Sequence, residues 1–226
     1  MKYFSTIFVF VSMLTFSISL AQVDWTKQGS VLDPGPAGEW DDNWLTPFCI
    51  LYDDTVYRLW YGGEDGSIYR FGYATSDDGL TWIKHNDPAT TDPPYAQSDP
   101  VLVSGSEGEW DDGRIVTPYV LYHDNVYKMW YSGNDGSTSR IGYATSVDGI
   151  IWTKYENNPV MDVGPVGSWN DGGVGQPCVY FDGDIFRPHP SGGYNNCLYD
   201  SLKNITKLWD AYSMQKNYFL NIRKAK

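Results

Sequence analysis

The sequence predicts an all-β chain: a partial β-propeller of about two and a half four-stranded blades, followed by a short tail read as helical. Three observations carry that prediction. A block of sequence recurs with its tryptophans 70 residues apart. Aromatic residues reach 16% and glycines number 23, against only 19% charged residues. That mix suits twisted strands joined by tight turns. The recurrence then stops near residue 185.

The first segment stands outside the fold. Lys2 precedes an apolar run over residues 7–20, and Ser19-Leu20-Ala21 puts small residues at −3 and −1 of a cut before Gln22. This reads as a secretory signal peptide over residues 1–21. The run is too short for a comfortable membrane span. The expectation is a secreted or periplasmic chain with no membrane attachment after cleavage.

The repeat comes next. Gly38-Glu39-Trp40-Asp41-Asp42, Thr46-Pro47, Tyr57-Arg58-Leu59-Trp60-Tyr61-Gly62-Gly63, Gly72-Tyr73-Ala74-Thr75-Ser76, Asp78-Gly79 and Trp82 follow in order. The same order returns as Gly108-Glu109-Trp110-Asp111-Asp112, Thr117-Pro118, Tyr127-Lys128-Met129-Trp130-Tyr131-Ser132-Gly133, Gly142-Tyr143-Ala144-Thr145-Ser146, Asp148-Gly149 and Trp152. A third copy opens at Gly167-Ser168-Trp169-Asn170-Asp171, with Gln176-Pro177 after it. Trp110 and Trp169 are 59 apart, so the first spacing holds an insertion, placed in the Pro-rich stretch 87–100. Each unit reads as four strands, in the first unit at 47–53, 55–62, 68–76 and 82–85. Asp65-Gly66 and Asp135-Gly136 mark hairpin turns. Four antiparallel strands repeated in this way are the pattern of propeller blades. The domains are therefore a signal at 1–21, an incomplete propeller at 22–185 (blades at about 25–82, 82–152 and 152–185) and a non-repeat tail at 186–226.

Charge divides at the same boundary. The net charge is −12, but residues 1–186 hold 9 basic and 26 acidic residues, and residues 187–226 hold 7 basic and 2 acidic. The propeller part has no basic patch, which argues against nucleic acid. The Lys-rich stretch 201–221 reads as one amphipathic helix. A frameshift or a truncated gene would produce both the lost pattern and the reversed charge; a native capping helix is the rival account. An unclosed propeller exposes blade edges that can pair with other chains, so self-association is expected.

Three cysteines permit at most one intramolecular bridge. Cys49 and Cys178 lie in apolar strand-like runs and read as buried thiols. No cysteine pair has metal-ligand spacing and the three histidines are scattered, so no metal or cofactor is expected.

The units "WDD…TP…Y+hWYgG…hGYATSxDGhxW" resemble the five-bladed β-propeller glycosidases: the clan of invertases, levansucrases, arabinanases and xylosidases, and the mannoside phosphorylase-like group. The segment from Ala74 to Trp82, repeated from Ala144 to Trp152, is its most specific element. It also resembles the Asp box of sialidases. The resemblance implies hydrolysis of O-glycosyl bonds in oligo- or polysaccharides by carboxylates at the inner-strand starts, around an axial pocket. In that family an Asp directly precedes Pro at one inner-strand start; here the place holds Thr46, Thr117 and Gln176. The acids near those starts are Asp41, Asp42, Asp111, Asp112 and Asp171, and the first four become the catalytic candidates. Trp44 (a platform for a sugar face), Arg114 and Asp171 become the substrate-binding candidates.

The repeat supplies a counterweight. A residue present in every unit serves the blade, whereas a catalytic residue serves one pocket. Asp42, Asp112 and Asp171 recur in all three units, which favours carboxylates bonded to loop N–H groups. Trp60, Trp82, Trp130 and Trp152 recur and read as packing between blades. His123 reads as a surface residue in a turn. A non-catalytic propeller binding carbohydrate or protein is therefore the alternative to a glycosidase.

Overall fold

The structure, a computed structural model, describes residues 30–53 and 55–188. The expected signal peptide and most of the tail lie outside those residues. Among the described residues every regular element is a strand.

The first unit forms an antiparallel meander of β1 (Trp44–Tyr52), β2 (Tyr57–Glu64), β3 (Tyr69–Ser76) and β4 (Ile83–Lys84). The second repeats it with β6 (Arg114–His123), β7 (Val126–Asn134), β8 (Ser139–Ser146) and β9 (Thr153–Lys154). The third unit contributes a hairpin of β10 (Val179–Phe181) and β11 (Phe186–Pro188). The described part of the chain is thus all-β, with two propeller blades and the start of a third.

Two details differ from expectation. The inner strand β1 begins at Trp44 rather than at Pro47, because Trp44, Leu45 and Thr46 pair with Glu64, Gly63 and Gly62. The fourth strand is split. β4 covers only Ala74 and Thr75 of β3, and β5 (Pro100–Val103) covers Arg70 to Gly72. In the second blade Met161 takes the place of Leu102, bridging Ile141 as Leu102 pairs with Phe71. Leu102 lies 20 residues after Trp82 and Met161 only 9 after Trp152, a difference of 11 that accounts for the spacings of 70 and 59. The insertion is the loop between β4 and β5. Asp99 closes it, its Oδ2 accepting from Asp87 N–H at 2.7 Å and from Thr90 Oγ1 at 2.7 Å.

Side chains alternate across each strand, and β2 shows what that does. Trp60 points into the seam between blades, with Cys49, Phe71, Ile115, Val120, Met129 and Tyr131. Leu59 and Tyr61 point the other way, to Leu32, Trp40, Ile50 and Ala74. The Trp60 indole N–H crosses the seam to the Gly149 carbonyl at 2.9 Å, and its ring meets Tyr127 at 5.6 Å and Trp152 at 6.2 Å. Trp60 and Trp152 thus pack across the seam, and Trp130 reaches the third unit; Trp82 instead packs on the first blade's own cluster, with Trp40 and Leu59.

The third unit keeps the repeat further than its letters show. Phe186 lies 59 residues after Tyr127 and meets Trp130 at 5.4 Å, as Tyr127 meets Trp60. Arg187 pairs with Asp182 as Arg58 pairs with Asp53. His123 ends β6 ahead of an Asp124-Asn125 turn with φ of 54° and 62°, the geometry of a two-residue hairpin. Its ring is half-buried against Phe181 at 4.3 Å rather than on the surface. Cys178 is disulfide-bonded, which corrects its reading as a thiol.

One device recurs four times and was not legible as a repeat in the letters. Asp53, Asp65, Asp135 and Asp182 each accept the N–H groups two and three residues on, and each pairs with an arginine five residues on. The Asx turn fixes the hairpin and the ion pair locks it to the next strand. These bonds hold the carboxyls of Asp53 and Asp135 well below the usual range, with the side-chain hydroxyls of Thr55 and Ser137 the largest influence. At Asp65 burial opposes the same set of bonds, which still prevail.

Candidate functional site

The carboxylates come first. Asp41 is fully buried. Its Oδ2 accepts from Lys84 Nζ at 2.6 Å and from the Tyr61 hydroxyl at 3.4 Å, and its Oδ1 accepts from Gly35 N–H at 3.2 Å. Asp111 repeats the arrangement with Lys154 Nζ at 2.7 Å and the Tyr131 hydroxyl at 3.0 Å. Burial, reinforced by the adjacent carboxylates, pushes both phenols far above their ordinary range, so each stays a neutral donor. Each trio ties the loop before an inner strand to the second and outer strands of the same blade.

Asp42, Asp112 and Asp171 accept the N–H of Gly38, Gly108 and Gly167 at 2.6, 2.7 and 2.6 Å. Those glycines have φ between 88° and 97°, which a side chain would resist. Asn170, third in the Asp41 and Asp111 series, bonds instead to Ser168 Oγ at 3.0 Å.

The start of the inner strands is where the blades differ. Trp44 opposes Glu64 and Arg114 opposes Asn134, so Trp44 and Arg114 occupy the same rung of neighbouring blades. In the first blade Trp44 lies 6.2 Å from Phe48 and 6.1 Å from Tyr69, ring centre to ring centre. The three half-buried rings form an aromatic wall over Gly62, where an added Cβ would sit 2.6 Å from Phe48 and 3.2 Å from Trp44. Glu64 closes its edge, accepting from Asn43 Nδ2 at 3.0 Å.

In the second blade Ser132 takes the rung that Gly62 holds in the first. Its Oγ lies 2.8 Å from Thr117 Oγ1 and accepts Gln176 N–H at 2.7 Å. Thr117 and Gln176 both have left-handed backbone, φ of 52° and 53°, directly before proline. A residue before proline is ordinarily extended, and a β-branched residue at positive φ is strained by about 1–2 kcal/mol. Such strain collects at binding and catalytic sites. The Thr46-Pro47 pair escapes it because it sits one rung earlier than Thr117-Pro118: Pro47 opposes Tyr61, whereas the ladder skips Thr117 and Pro118 altogether.

The fold therefore brings Trp44 and Arg114 to one end, with Phe48, Tyr69, Ser132, Thr117 and Gln176. Asp41 and Asp111 lie one rung from that end, against Gly63 and Gly133, and are buried on Lys84 and Lys154. Ser132, Phe48 and Tyr69 were missed from the sequence. The departure of Ser132 from the glycine of Trp-Tyr-Gly-Gly was the available signal. A shallow pocket of about 300 Å³ lies elsewhere, at the outer strand, lined by Leu32, Pro34, Trp82, Lys84 and Ser98. Its lysine is already committed to Asp41. Among the described residues no group of three His, Cys, Asp or Glu side chains could hold a metal ion.

No family model matches the chain. An uncharacterized protein of Mycobacterium tuberculosis is 32% identical over 153 residues, covering 64% of this chain and 46% of that protein. An A type blood N-acetyl-α-D-galactosamine deacetylase of Flavonifractor plautii is 27% identical over 149 residues, 59% of this chain and 17% of that one. The chain thus spans under half the length of these relatives. Among solved structures, a family 117 glycoside hydrolase of the marine bacterium Zobellia galactanivorans superposes with a TM-score of 0.52 at 15% identity, over 70% of this chain and 50% of that one. That likeness shows the fold, which is the one implied by the resemblance to propeller glycosidases.

Proposed function

We propose that the chain recognises carbohydrate at the mouth formed by the starts of β1 and β6. One observation carries this: residues that break the repeat gather there, aromatic on one blade and polar on the other. A sugar has apolar C–H faces and a rim of hydroxyls. The rings of Trp44, Phe48 and Tyr69 suit the faces. The hydroxyls of Thr117 and Ser132 and the amide of Gln176 suit the rim. Residues that keep the repeat, Asp41 and Asp111 among them, hold the blades together.

The second reading is hydrolysis of a glycosidic bond by an exported, glycosidase-like protein of which these blades are part, favoured by the shared fold. That chemistry needs two carboxylates flanking the bond. Asp41, Asp42, Asp111 and Asp112 would have to leave their present partners to serve, whereas Glu64 stands beside Trp44 at the mouth.

Titration of the full chain with neutral oligosaccharides, followed by tryptophan fluorescence and by chromatography of products, separates the readings. Saturable quenching that Trp44→Ala weakens by about tenfold or more, without product release, supports recognition alone. Product release that falls in Asp41→Asn, Asp42→Asn, Asp111→Asn or Asp112→Asn supports hydrolysis. No binding to any saccharide overturns both.

A further inference from the structure

We infer that the saccharide taken at this mouth carries an anionic substituent, a carboxylate or a sulfate ester, seated on Arg114. The inference rests on the carbohydrate reading above and names the class of sugar.

Among the described residues the other arginines are committed. Arg58 pairs with Asp53 at 2.8 Å, Arg70 with Asp65 at 2.9 Å, and Arg140 with Asp135 at 2.9 Å and Asp162 at 3.0 Å. Arg187 pairs with Asp182. Lys84 and Lys154 pair with Asp41 and Asp111, and Lys128 lies 5.6 Å from the Phe186 ring centre. Among the described residues Arg114 is the arginine with no ion pair, and it is exposed.

The carboxylates near it in sequence are engaged elsewhere. Asp111 is buried on Lys154, Asp112 turns to Gly108 N–H, and Asp135 serves Arg140 and its own turn. The rung itself changes character between blades. Trp44 facing Glu64 becomes Arg114 facing Asn134, so a cation replaces an aromatic and an amide replaces an acid. Both exchanges move the second blade's mouth toward accepting negative charge. The first blade keeps the aromatic wall for the sugar face.

A guanidinium presents a planar fork that matches carboxylate and sulfate oxygens two at a time. It opens the strand that carries Thr117 three residues on, within about 10 Å at strand rise. One ligand can therefore meet the cation and the Thr117–Ser132–Gln176 group together.

The test uses the full chain and two matched pairs of ligands at fixed ionic strength. One pair is an oligogalacturonate and the neutral galacto-oligosaccharide of the same length. The other is a sulfated galactan oligosaccharide and its desulfated form. The expected result is about tenfold tighter binding of a charged member than of its neutral partner, the worth of one charge-assisted bond pair. The tighter of the two charged ligands identifies the substituent. Arg114→Gln is expected to bring that ratio to about one, and Arg114→Lys to leave it between. Equal affinity for charged and neutral members in the native chain overturns the inference while leaving carbohydrate recognition standing. A preference that survives Arg114→Gln also overturns it. Absence of binding to all four ligands defeats the underlying reading instead.

Discussion

Lys84→Met tests whether Asp41 is an anchor of the blade. The substitution keeps most of the apolar stem and removes the charge. It leaves a carboxylate of zero exposure without its cation, which had been 2.6 Å away and itself only 15% exposed. Breaking a buried pair by removing one partner costs about 3–5 kcal/mol. For a unit of roughly 150 residues each kcal/mol lowers Tm by about 2–4 °C, so the expected drop is roughly 6–20 °C. Asp41→Asn with Lys84→Met should recover most of that loss, because the amide still accepts from Gly35 N–H and carries no charge. Lys154→Met should cost less than Lys84→Met, since Lys154 is 29% exposed and water can reach what remains. Thermal and urea unfolding of the two single variants and the double variant measure these differences. A cost below about 1 kcal/mol for Lys84→Met, or a double variant no more stable than the single one, refutes the anchor role.

Three further outcomes follow from the same geometry. Gly63→Ala would place a Cβ 2.7 Å from Asp41 and 2.8 Å from Trp40, so it should destabilise by about 1–3 kcal/mol in urea unfolding, whereas Gly172→Ala meets nothing within 4 Å and should be nearly neutral. The turn aspartates titrate lower when folded, Asp182 at about 2, so the stability they add is present above the unfolded carboxyl range near 4 and is lost as pH falls toward 2; Asp65→Asn should flatten that loss in a pH series of unfolding midpoints. Ser132→Ala removes the acceptor for Gln176 N–H and the partner of Thr117, and should cost about 1–3 kcal/mol of stability together with a clear loss of saccharide affinity by fluorescence titration; unchanged affinity would separate Ser132 from the mouth.

The blades were legible because their determinants are local or periodic. Trp40, Trp60, Trp82 and their partners 70 residues on announce a repeated packing unit, and Asp-Gly pairs announce its turns, since turn geometry depends on a few adjacent residues. The repeat also marked Asp42, Asp112 and Asp171 as loop residues, as their bonds to Gly38, Gly108 and Gly167 now bear out. Trp44 and Arg114 were legible as departures between otherwise matching units.

The functions of Asp41 and Ser132 were not legible, because they depend on partners far along the chain. Asp41 meets Lys84 across 43 residues, and Ser132 meets Gln176 across 44. The strain at Thr117 and Gln176 was hidden too, because equal Thr-Pro letters conceal a one-rung slip that only strand pairing reveals. By itself the sequence determined the architecture, through periodic burial and turn chemistry. Tertiary structure alone decided which carboxylates are tied into the blades and which side chains face the mouth, because burial and ion pairing are settled by what the fold brings alongside.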